Sequence, residues 1–153
     1  MKTFLNVSLI MSLLILVMFP AQLAAYHSGP LAVLDARQAA YDAHNVEAAV
    51  AFFADAAVVT LLVGTPRQVQ YAGKAQIRRW QEALQKEQSV RTELLGERKV
   101  DGDTVTWRAR VSRDEWRRMG IASLEFWGEA TVRGGKITSL RNGPTQESAE
   151  KLR

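Results

Sequence analysis

The sequence of 153 residues contains no cysteine. This absence excludes disulfide bonds, thiolate zinc sites, a cysteine nucleophile and a lipid-modified cysteine. Histidine is scarce too, because only His27 and His44 occur, so a histidine-based metal site is not expected. There is also no glycine-rich phosphate loop, the usual sign of a nucleotide or flavin site. We therefore expect neither a cofactor nor a metal ion.

Basic residues are in slight excess, but they are not clustered. The formal charge is +4, and the basic residues are scattered apart from the pairs Arg78–Arg79 and Arg117–Arg118. A nucleic-acid interface is typically a basic patch or stripe, so we expect an ordinary solvated surface and no nucleic-acid partner. With 47% hydrophobic and 24% charged residues, the composition is typical of one globular domain.

The N-terminus has the pattern of a targeting segment. Lys2 precedes a nearly unbroken apolar run from Phe4 to Phe19, which Pro20 ends, and small residues follow up to Ala25. This predicts a signal peptide over residues 1–25, cleaved after Ala25. The alternative is an uncleaved membrane anchor formed by residues 4–20, although the run is short for a spanning helix. Both place the domain outside the cytoplasm, in the periplasm or the extracellular medium.

The rest of the chain is organised around a junction between a helix and a strand. Asn45 is the predicted N-cap of a short helix, and Glu47 suits its first turn. The β-branched, apolar run from Val58 to Val63 predicts a buried strand, which Gly64–Pro66 ends. We expect Asp55, between the two elements, to be a turn and cap residue.

Two further helices are predicted from apolar positions at helical spacing. Over residues 31–43 these are Leu31, Leu34 and Tyr41, and over residues 74–88 they are Ile77, Trp80 and Leu84. Both patterns are typical of amphipathic helices. The polar residues between these positions, including Arg37 and Gln81, are expected to point mostly away from the apolar face. His44, between two helices, is expected to be a turn or surface residue.

From Ser89 onward the pattern predicts strands. Thr104–Ser112 and Ile121–Arg133 alternate cleanly, Asp101–Asp103 is a hairpin signal, and the last strand is Lys136–Asn142. The connection Arg113–Gly120 is polar. The domain would end at residue 144, leaving residues 145–153 as a polar tail that frays.

The two long strands can be aligned by their alternation. Pairing Trp107 with Phe126 matches the apolar faces and places Arg108 opposite Glu125, as an exposed charge pair. A slip of one residue would put Arg108 among apolar side chains. The element order predicts an α+β domain of residues 26–144, with helices on one face of a curved sheet.

These segments resemble the SnoaL-like, nuclear transport factor 2-like superfamily. The resemblance lies in Asn45–Val63, Gly73–Trp80, Asp101–Asp103 and Gly135–Ile137, and it extends over nearly all of residues 31–142. It implies a strongly curved antiparallel sheet wrapped around about three helices, with a cone-shaped, mostly apolar pocket. Many members of the superfamily dimerise through the outer sheet face, where Trp127 would lie, so the resemblance implies a homodimer.

The known enzymes of this superfamily can be compared position by position. The base of ketosteroid isomerase matches Leu61, and its acidic oxyanion donor falls near Gly128, so neither group is kept. In limonene epoxide hydrolase an Asp–Arg–Asp set would match Arg110, Arg108 and Asn142, of which only the arginine agrees. That comparison turns Arg108 inward, whereas the strand pairing turns it outward. Scytalone dehydratase needs pocket histidines that this chain does not place there.

Two functions remain open. The first is an exported domain that binds a small apolar or aromatic molecule, or a partner peptide, without catalysis. Its pocket would be lined by residues that otherwise simply fill a core: Phe53, Leu61, Trp80, Trp107, Leu124 and Phe126.

The second function is an isomerase or hydrolase of small molecules. Its catalytic candidates are polar residues expected near the pocket mouth: Asp35, Asp55, Arg108, Arg110 and Asn142. A carboxylate that faces a cavity with a raised pKa would favour the enzyme. A membrane would be a partner only if residues 4–20 stay attached.

Overall fold

Residues 29–152 are described by a computed structural model, in which they form seven strands and five helices. The predicted signal segment, its cleavage site and the alternative anchor lie outside the described residues. Within residues 29–152, no helix is both long and apolar enough to cross a membrane.

The helices and strands are as follows in chain order. The helices are α1 (Pro30–Asp42), α2 (Val46–Ala51), α3 (Lys74–Lys86), α4 (Asp114–Arg118) and α5 (Gln146–Glu150). The strands are β1 (Phe53–Leu61), β2 (Val69–Ala72), β3 (Arg91–Leu94), β4 (Lys99–Asp101), β5 (Thr104–Ser112), β6 (Leu124–Arg133) and β7 (Lys136–Pro144).

The strands form one curved, unclosed sheet in the order β2-β1-β7-β6-β5-β3, with β4 also paired to β5. The α+β class and the curved sheet are confirmed. The sheet is mixed, however, because β7 returns between β6 and β1 and runs parallel to β1. Helix α1 contacts β5, β6 and β7, whereas α3 contacts β1 and β2, so the long helices cover the same sheet at different ends.

The predicted junction of helix and strand is present, with one correction. Asn45 caps α2, because its Oδ1 accepts a hydrogen bond from the backbone N–H of Ala48 at 3.0 Å. Asp55 is not a cap or turn residue, since β1 begins at Phe53 and Asp55 lies inside the strand with an exposed side chain. The β1–β7 register shifts between Phe53 and Val58, so this first part of β1 is irregularly paired.

The register between β5 and β6 differs from the predicted one by two residues. Trp107 lies opposite Gly128 rather than Phe126, and Glu125 lies opposite Arg110 rather than Arg108. Because side chains alternate with a period of two, this shift leaves every side chain on its predicted face. Arg108 is accordingly exposed on the outer face, as the strand pairing predicted.

Two segments expected to be irregular contain short helices. The connection Arg113–Gly120 includes α4, which buries Trp116. The tail contains α5, where Ser148 is buried and its Oγ accepts a hydrogen bond from the backbone N–H of Glu125 at 2.8 Å. The expected fraying is therefore wrong for residues 146–150.

The buried side chains form two hydrophobic clusters. The larger cluster joins α1, α2 and α3 to the sheet, and its residues are Val33, Leu34, Val50, Phe53, Ala57, Val59, Ile77, Trp80, Val105, Ala130, Val132, Ile137 and Leu140. The smaller cluster, Trp116, Leu124 and Phe126, lies where α4 meets β6. Burial of these side chains is the main stabilising contribution to the fold.

Candidate functional site

A guanidinium group lies among three aromatic rings between α1 and the larger hydrophobic cluster. The Cζ atom of Arg37 is 5.3 Å from the ring centre of Tyr41, 5.9 Å from that of Phe53 and 6.0 Å from that of Trp80. Tyr41 follows Arg37 by one helical turn, whereas Phe53 begins β1 and Trp80 comes from α3. The three elements therefore converge on one positive charge.

Arg37 has few polar partners in this position. Its Nη1 donates to Oε1 of Gln38 at 3.1 Å, while its Nε is enclosed and has no hydrogen-bond partner among residues 29–152. Burial lowers the pKa of Arg37 to about 10, against the opposing effects of Tyr41 and Asp42. Burial also raises the pKa of the Tyr41 phenol, because a phenolate would be poorly solvated there.

A second unpartnered polar group lies on α3. Gln81 is 0% exposed, and neither Oε1 nor Nε2 of its amide has a hydrogen-bond partner among the described residues. One turn further along, Nε2 of Gln85 donates to the backbone oxygen of Tyr41 at 3.1 Å. Residues four apart share a helix face, so Gln81 lies on the side of α3 that faces α1.

The structure divides the six predicted pocket residues between the two clusters. Phe53 and Trp80 are buried in the larger cluster, and Leu61 and Trp107 pack against it while partly exposed. Leu124 and Phe126 belong to the smaller cluster, where Phe126 stacks on Trp116. Only Phe53 and Trp80 among them contact Arg37.

An open groove reaches Trp107 where β3 ends and β4 begins. It has a volume of about 440 Å³, and its lining residues are Leu95, Gly96, Glu97, Lys99, Thr106, Trp107, Arg108, Trp127, Gly128 and Glu129. The loop on its rim is tied to α1, since Nη1 of Arg98 is 2.7 Å from Oδ1 of Asp35. The lining of this groove combines outer-face residues such as Arg108 with Trp107 of the inner face.

A second groove, of about 480 Å³, is mainly polar. It is lined by Gln88, Ser89, Arg91, Asp114 and Arg117. None of these was a predicted site residue, and within the groove Arg117 pairs with Asp114. We assign no function to this groove.

The five predicted catalytic residues do not meet in one place. Asp35 pairs with Arg98 beside the open groove, and Asp55 pairs with Lys74 at 2.9 Å on the surface. The other three lie on β5 and β7.

On β5, Arg108 and Arg110 are exposed on the outer face, where Arg110 contacts Glu93 and Glu125. Asn142 of β7 lies opposite Gly128 on the inner face. Its Oδ1 accepts a long hydrogen bond of 3.4 Å from the backbone N–H of Leu62.

Two carboxyl groups have a shifted pKa, and both pair with a lysine on the surface. The hydrogen bond from Lys74 holds the pKa of Asp55 below its usual range, and Lys151 does the same for the pKa of Glu147. A general acid or base that works near neutral pH usually needs a raised carboxyl pKa. The pKa values of these two carboxyl groups are lowered instead, so neither is suited to that role.

The chemistry of the described residues offers little to a metal ion. Within residues 29–152, no three or more His, Asp or Glu side chains are grouped so that they could hold one. The candidate site consists instead of a cation, an amide and aromatic rings, which can bind an organic molecule by hydrogen bonds, charge and stacking.

The sequence had predicted that Arg37 and Gln81 point away from the core. Their spacing carries the signal that would have found them. Arg37 is three residues after Leu34 and four before Tyr41, and Gln81 is four residues after Ile77. Both polar residues therefore lie on the apolar stripes of their helices.

Comparison with known proteins supports this fold. A family model described as a SnoaL-like domain matches residues 34–140. A search of curated proteins finds no match. Among solved structures, a Sinorhizobium meliloti protein whose name assigns it provisionally to the polyketide cyclases is 27% identical, with a TM-score of 0.57. The alignment covers 72% of this chain and 92% of that one.

Two more distant structures show the same fold. A nuclear transport factor 2-like protein of unknown function from Mesorhizobium loti is 19% identical, with a TM-score of 0.63 and coverage of 76% of this chain and 90% of that one. TerC, crystallised with polyporic acid, is 16% identical, with a TM-score of 0.61 and coverage of 82% and 98%. At these identities the likeness concerns the fold alone.

Proposed function

This chain belongs to the SnoaL-like domain family, and we propose that it is an exported domain that binds a small apolar or aromatic molecule between α1, α3 and the sheet, without catalysing a reaction. The nuclear transport factor 2-like fold is shown, and solved members of this fold include one crystallised with polyporic acid. Export rests on the sequence pattern of residues 1–25.

The observation that carries this proposal is the buried amide of Gln81. A buried polar group without a partner costs about 1–3 kcal/mol relative to a satisfied one. Native interiors contain few such groups, so an unpartnered one indicates a partner from outside the fold or a function. A ligand with a polar substituent, seated beside Trp80, would satisfy the amide and bury its own apolar surface.

The open groove at Trp107 supports the same proposal. It lies where β3 ends and β4 begins, and Trp107 in its lining also packs against the larger hydrophobic cluster. The segment on its rim, residues 95–98, is held by the Asp35–Arg98 ion pair, whose partners are both partly exposed. Exposed ion pairs contribute little free energy, so this rim can move at small cost.

An enzyme is the alternative, and the geometry favours it less. The proposed catalytic residues are dispersed over the outer face, the surface of β1 and the rim of the groove. Asn142 alone among them lies on the inner face, and an amide does not act as a general acid or base near neutral pH. Because the similar Sinorhizobium meliloti protein is provisionally named as a polyketide cyclase, an acid–base reaction is the class of enzymatic activity to test.

The test is native mass spectrometry of the chain purified from its expression host without removal of co-purifying molecules, before and after denaturation. We expect a small molecule that is present on the folded chain and absent from the denatured one. Gln81→Leu should reduce its occupancy severalfold, whereas the surface control Gln70→Leu should not. A wild-type chain that shows only its apo mass, also after incubation with a mixture of apolar and aromatic compounds, contradicts the proposal.

A further inference from the structure

We propose that the molecule bound by this domain is an aromatic carboxylate, and that its charged group pairs with Arg37. This inference rests on the proposed function, since it assigns a chemical class to the same ligand. It follows from the groups that surround the Arg37 guanidinium and from the groups that are missing there.

The three rings around Arg37 stabilise a cation but offer it no acceptor. Tyr41, Phe53 and Trp80 all lie within about the 6 Å at which a ring face attracts a guanidinium. A cation held in this way keeps its charge while it loses water. Aromatic contacts alone therefore leave its N–H groups without hydrogen bonds.

The nearby carboxylates do not pair with Arg37. Asp42 accepts a hydrogen bond from Nε2 of Gln38 at 2.8 Å, and Asp35 pairs with Arg98 at 2.7 Å. Among residues 29–152, no carboxylate oxygen lies within 4.0 Å of the Arg37 guanidinium. Among the described residues, the one hydrogen-bond partner of the guanidinium is a neutral amide oxygen, Oε1 of Gln38.

The Nε–Nη2 edge of the guanidinium has no hydrogen-bond acceptor among residues 29–152, and because Nε is enclosed, an outside acceptor reaches it only when a neighbouring side chain moves. The Nε atom is enclosed without a partner, while Arg37 as a residue keeps part of its surface exposed. Two parallel N–H groups match the two oxygens of a carboxylate, and such bidentate pairs are stronger than neutral hydrogen bonds. A carboxylate would also pair with a charge that no carboxylate of residues 29–152 contacts directly.

The walls of the site indicate the rest of the molecule. Trp80 stacks on Tyr71, with 5.9 Å between ring centres and 22° between ring planes, so the α3 side of the site consists of flat aromatic rings, of which Trp80 is 9% exposed. Gln81, the next residue of α3, adds an amide with one donor atom and one acceptor atom that have no partner among residues 29–152. A flat aromatic body with a carboxylate fits these groups, whereas an organic cation would be repelled by Arg37.

A matched pair of probes separates the contribution of the charged group to affinity from that of the ring system. We would titrate the chain with 2-naphthoate and with 2-naphthamide at pH 7.5 by isothermal titration calorimetry. The two probes share the ring system and differ in the charged group. The variants are Arg37→Met, which keeps an unbranched apolar stem but removes the guanidinium, and Arg118→Met, a control at an exposed residue of α4 that also loses one positive charge.

We expect the wild type and Arg118→Met to bind naphthoate at least about tenfold more tightly than naphthamide, a difference typical of a charge-assisted hydrogen bond. Arg37→Met should bind the two probes equally and keep its affinity for naphthamide. Equal affinities in the wild type overturn the carboxylate inference but leave the proposed function intact. A preference for naphthoate that persists in Arg37→Met also overturns it. Binding of neither probe counts against both proposals.

Discussion

At the scale of single residues, three side chains within residues 29–152 have an enclosed polar atom without a partner, and two of them, Arg37 and Gln81, lie near the larger hydrophobic cluster, whereas the third is Arg113. Arg37 and Gln81 come from different helices, and both have polar atoms without partners among residues 29–152. Each lowers the stability of the fold relative to an apolar residue of the same shape. Functional groups often carry such a cost, since binding sites are not optimised for stability.

Gln81→Met should therefore stabilise the chain. Methionine has nearly the same length and volume as glutamine, but it buries no amide, so unfolding should require about 1–2 kcal/mol more free energy. The measurement is urea unfolding of both chains at pH 7, without added ligand. Gln70→Met, on the exposed strand β2, serves as the control and should change stability by less than about 0.5 kcal/mol.

A loss of stability in Gln81→Met would contradict this prediction. It would show that the amide has a partner in solution, such as an ordered water molecule.

The pair of Asp55 and Lys74 gives a prediction for pH. The hydrogen bond from Lys74 lowers the pKa of Asp55 in the folded chain. A lowered carboxyl pKa adds stability above the pKa of the unfolded chain, about 3.9 for aspartate, and this is lost as the pH falls through the folded pKa. In Lys74→Met, the pKa of Asp55 should rise toward its ordinary value of 3.8.

This prediction can be followed by NMR titration of the side-chain carboxyl groups. Lys151→Met is the matched control, because Lys151 has the same relation to Glu147. It should raise the pKa of Glu147 and leave that of Asp55 unchanged. An Asp55 pKa that does not move in Lys74→Met would show that the exposed pair is not formed in solution.

At the scale of the elements, alternation alone cannot choose between registers that differ by two residues. The predicted pairing of Trp107 with Phe126 and the observed pairing with Gly128 bury the same faces. The choice depends on packing, because the Trp107 ring lies directly over Gly128. A Cβ atom at Gly128 would be 2.1 Å from Cε2 of Trp107.

Gly128→Ala tests this account of the register. The added methyl group must displace the indole, and overpacking of this kind costs about 1–3 kcal/mol. Because leucine is smaller than the indole, Gly128→Ala should cost markedly less stability in a chain that carries Trp107→Leu. Thermal unfolding of the four chains gives this coupling as a double-mutant cycle.

Gly29→Ala is the control for that cycle, since no atom lies within 4 Å of the position of its added Cβ. Equal costs of Gly128→Ala in both backgrounds would contradict the proposed contact between Trp107 and residue 128.

Most of the elements were predictable because their periodicities are strong. The cap at Asn45, helix α3 and strands β5 and β6 follow from local patterns. The insertion of β7 beside β1 depends on contacts between distant residues, so the local pattern could not show that the sheet is mixed. Phe53 and Trp80 of the proposed site were among the candidate pocket residues named from the sequence, and their role in binding stays a prediction. Arg37 was missed because charge was taken to mean exposure.

At the scale of the whole molecule, the outer sheet face is a surface of partly exposed charge pairs around one aromatic residue. Trp127 is partly buried under Arg141, whose Cζ lies 5.9 Å from its ring centre. Arg141 also approaches Glu129 at 3.6 Å, and Arg110 approaches Glu125 at 3.6 Å. Because charges of both signs are interspersed, two copies of this face can be complementary about a twofold axis.

We expect the chain to form a homodimer through this face, as the resemblance to the superfamily implies. A stable interface buries more than about 1,000 Å² in total, and aromatic residues near its centre contribute most to affinity. Sedimentation velocity should therefore show a dimer that Trp127→Lys converts to a monomer with unchanged far-UV circular dichroism. Met119→Lys adds the same charge at an exposed apolar residue outside the sheet, and it should leave the dimer intact.

Dissociation by salt would indicate that the charge pairs hold the interface, whereas a wild type that sediments as a monomer at micromolar concentrations would show that the outer face is free.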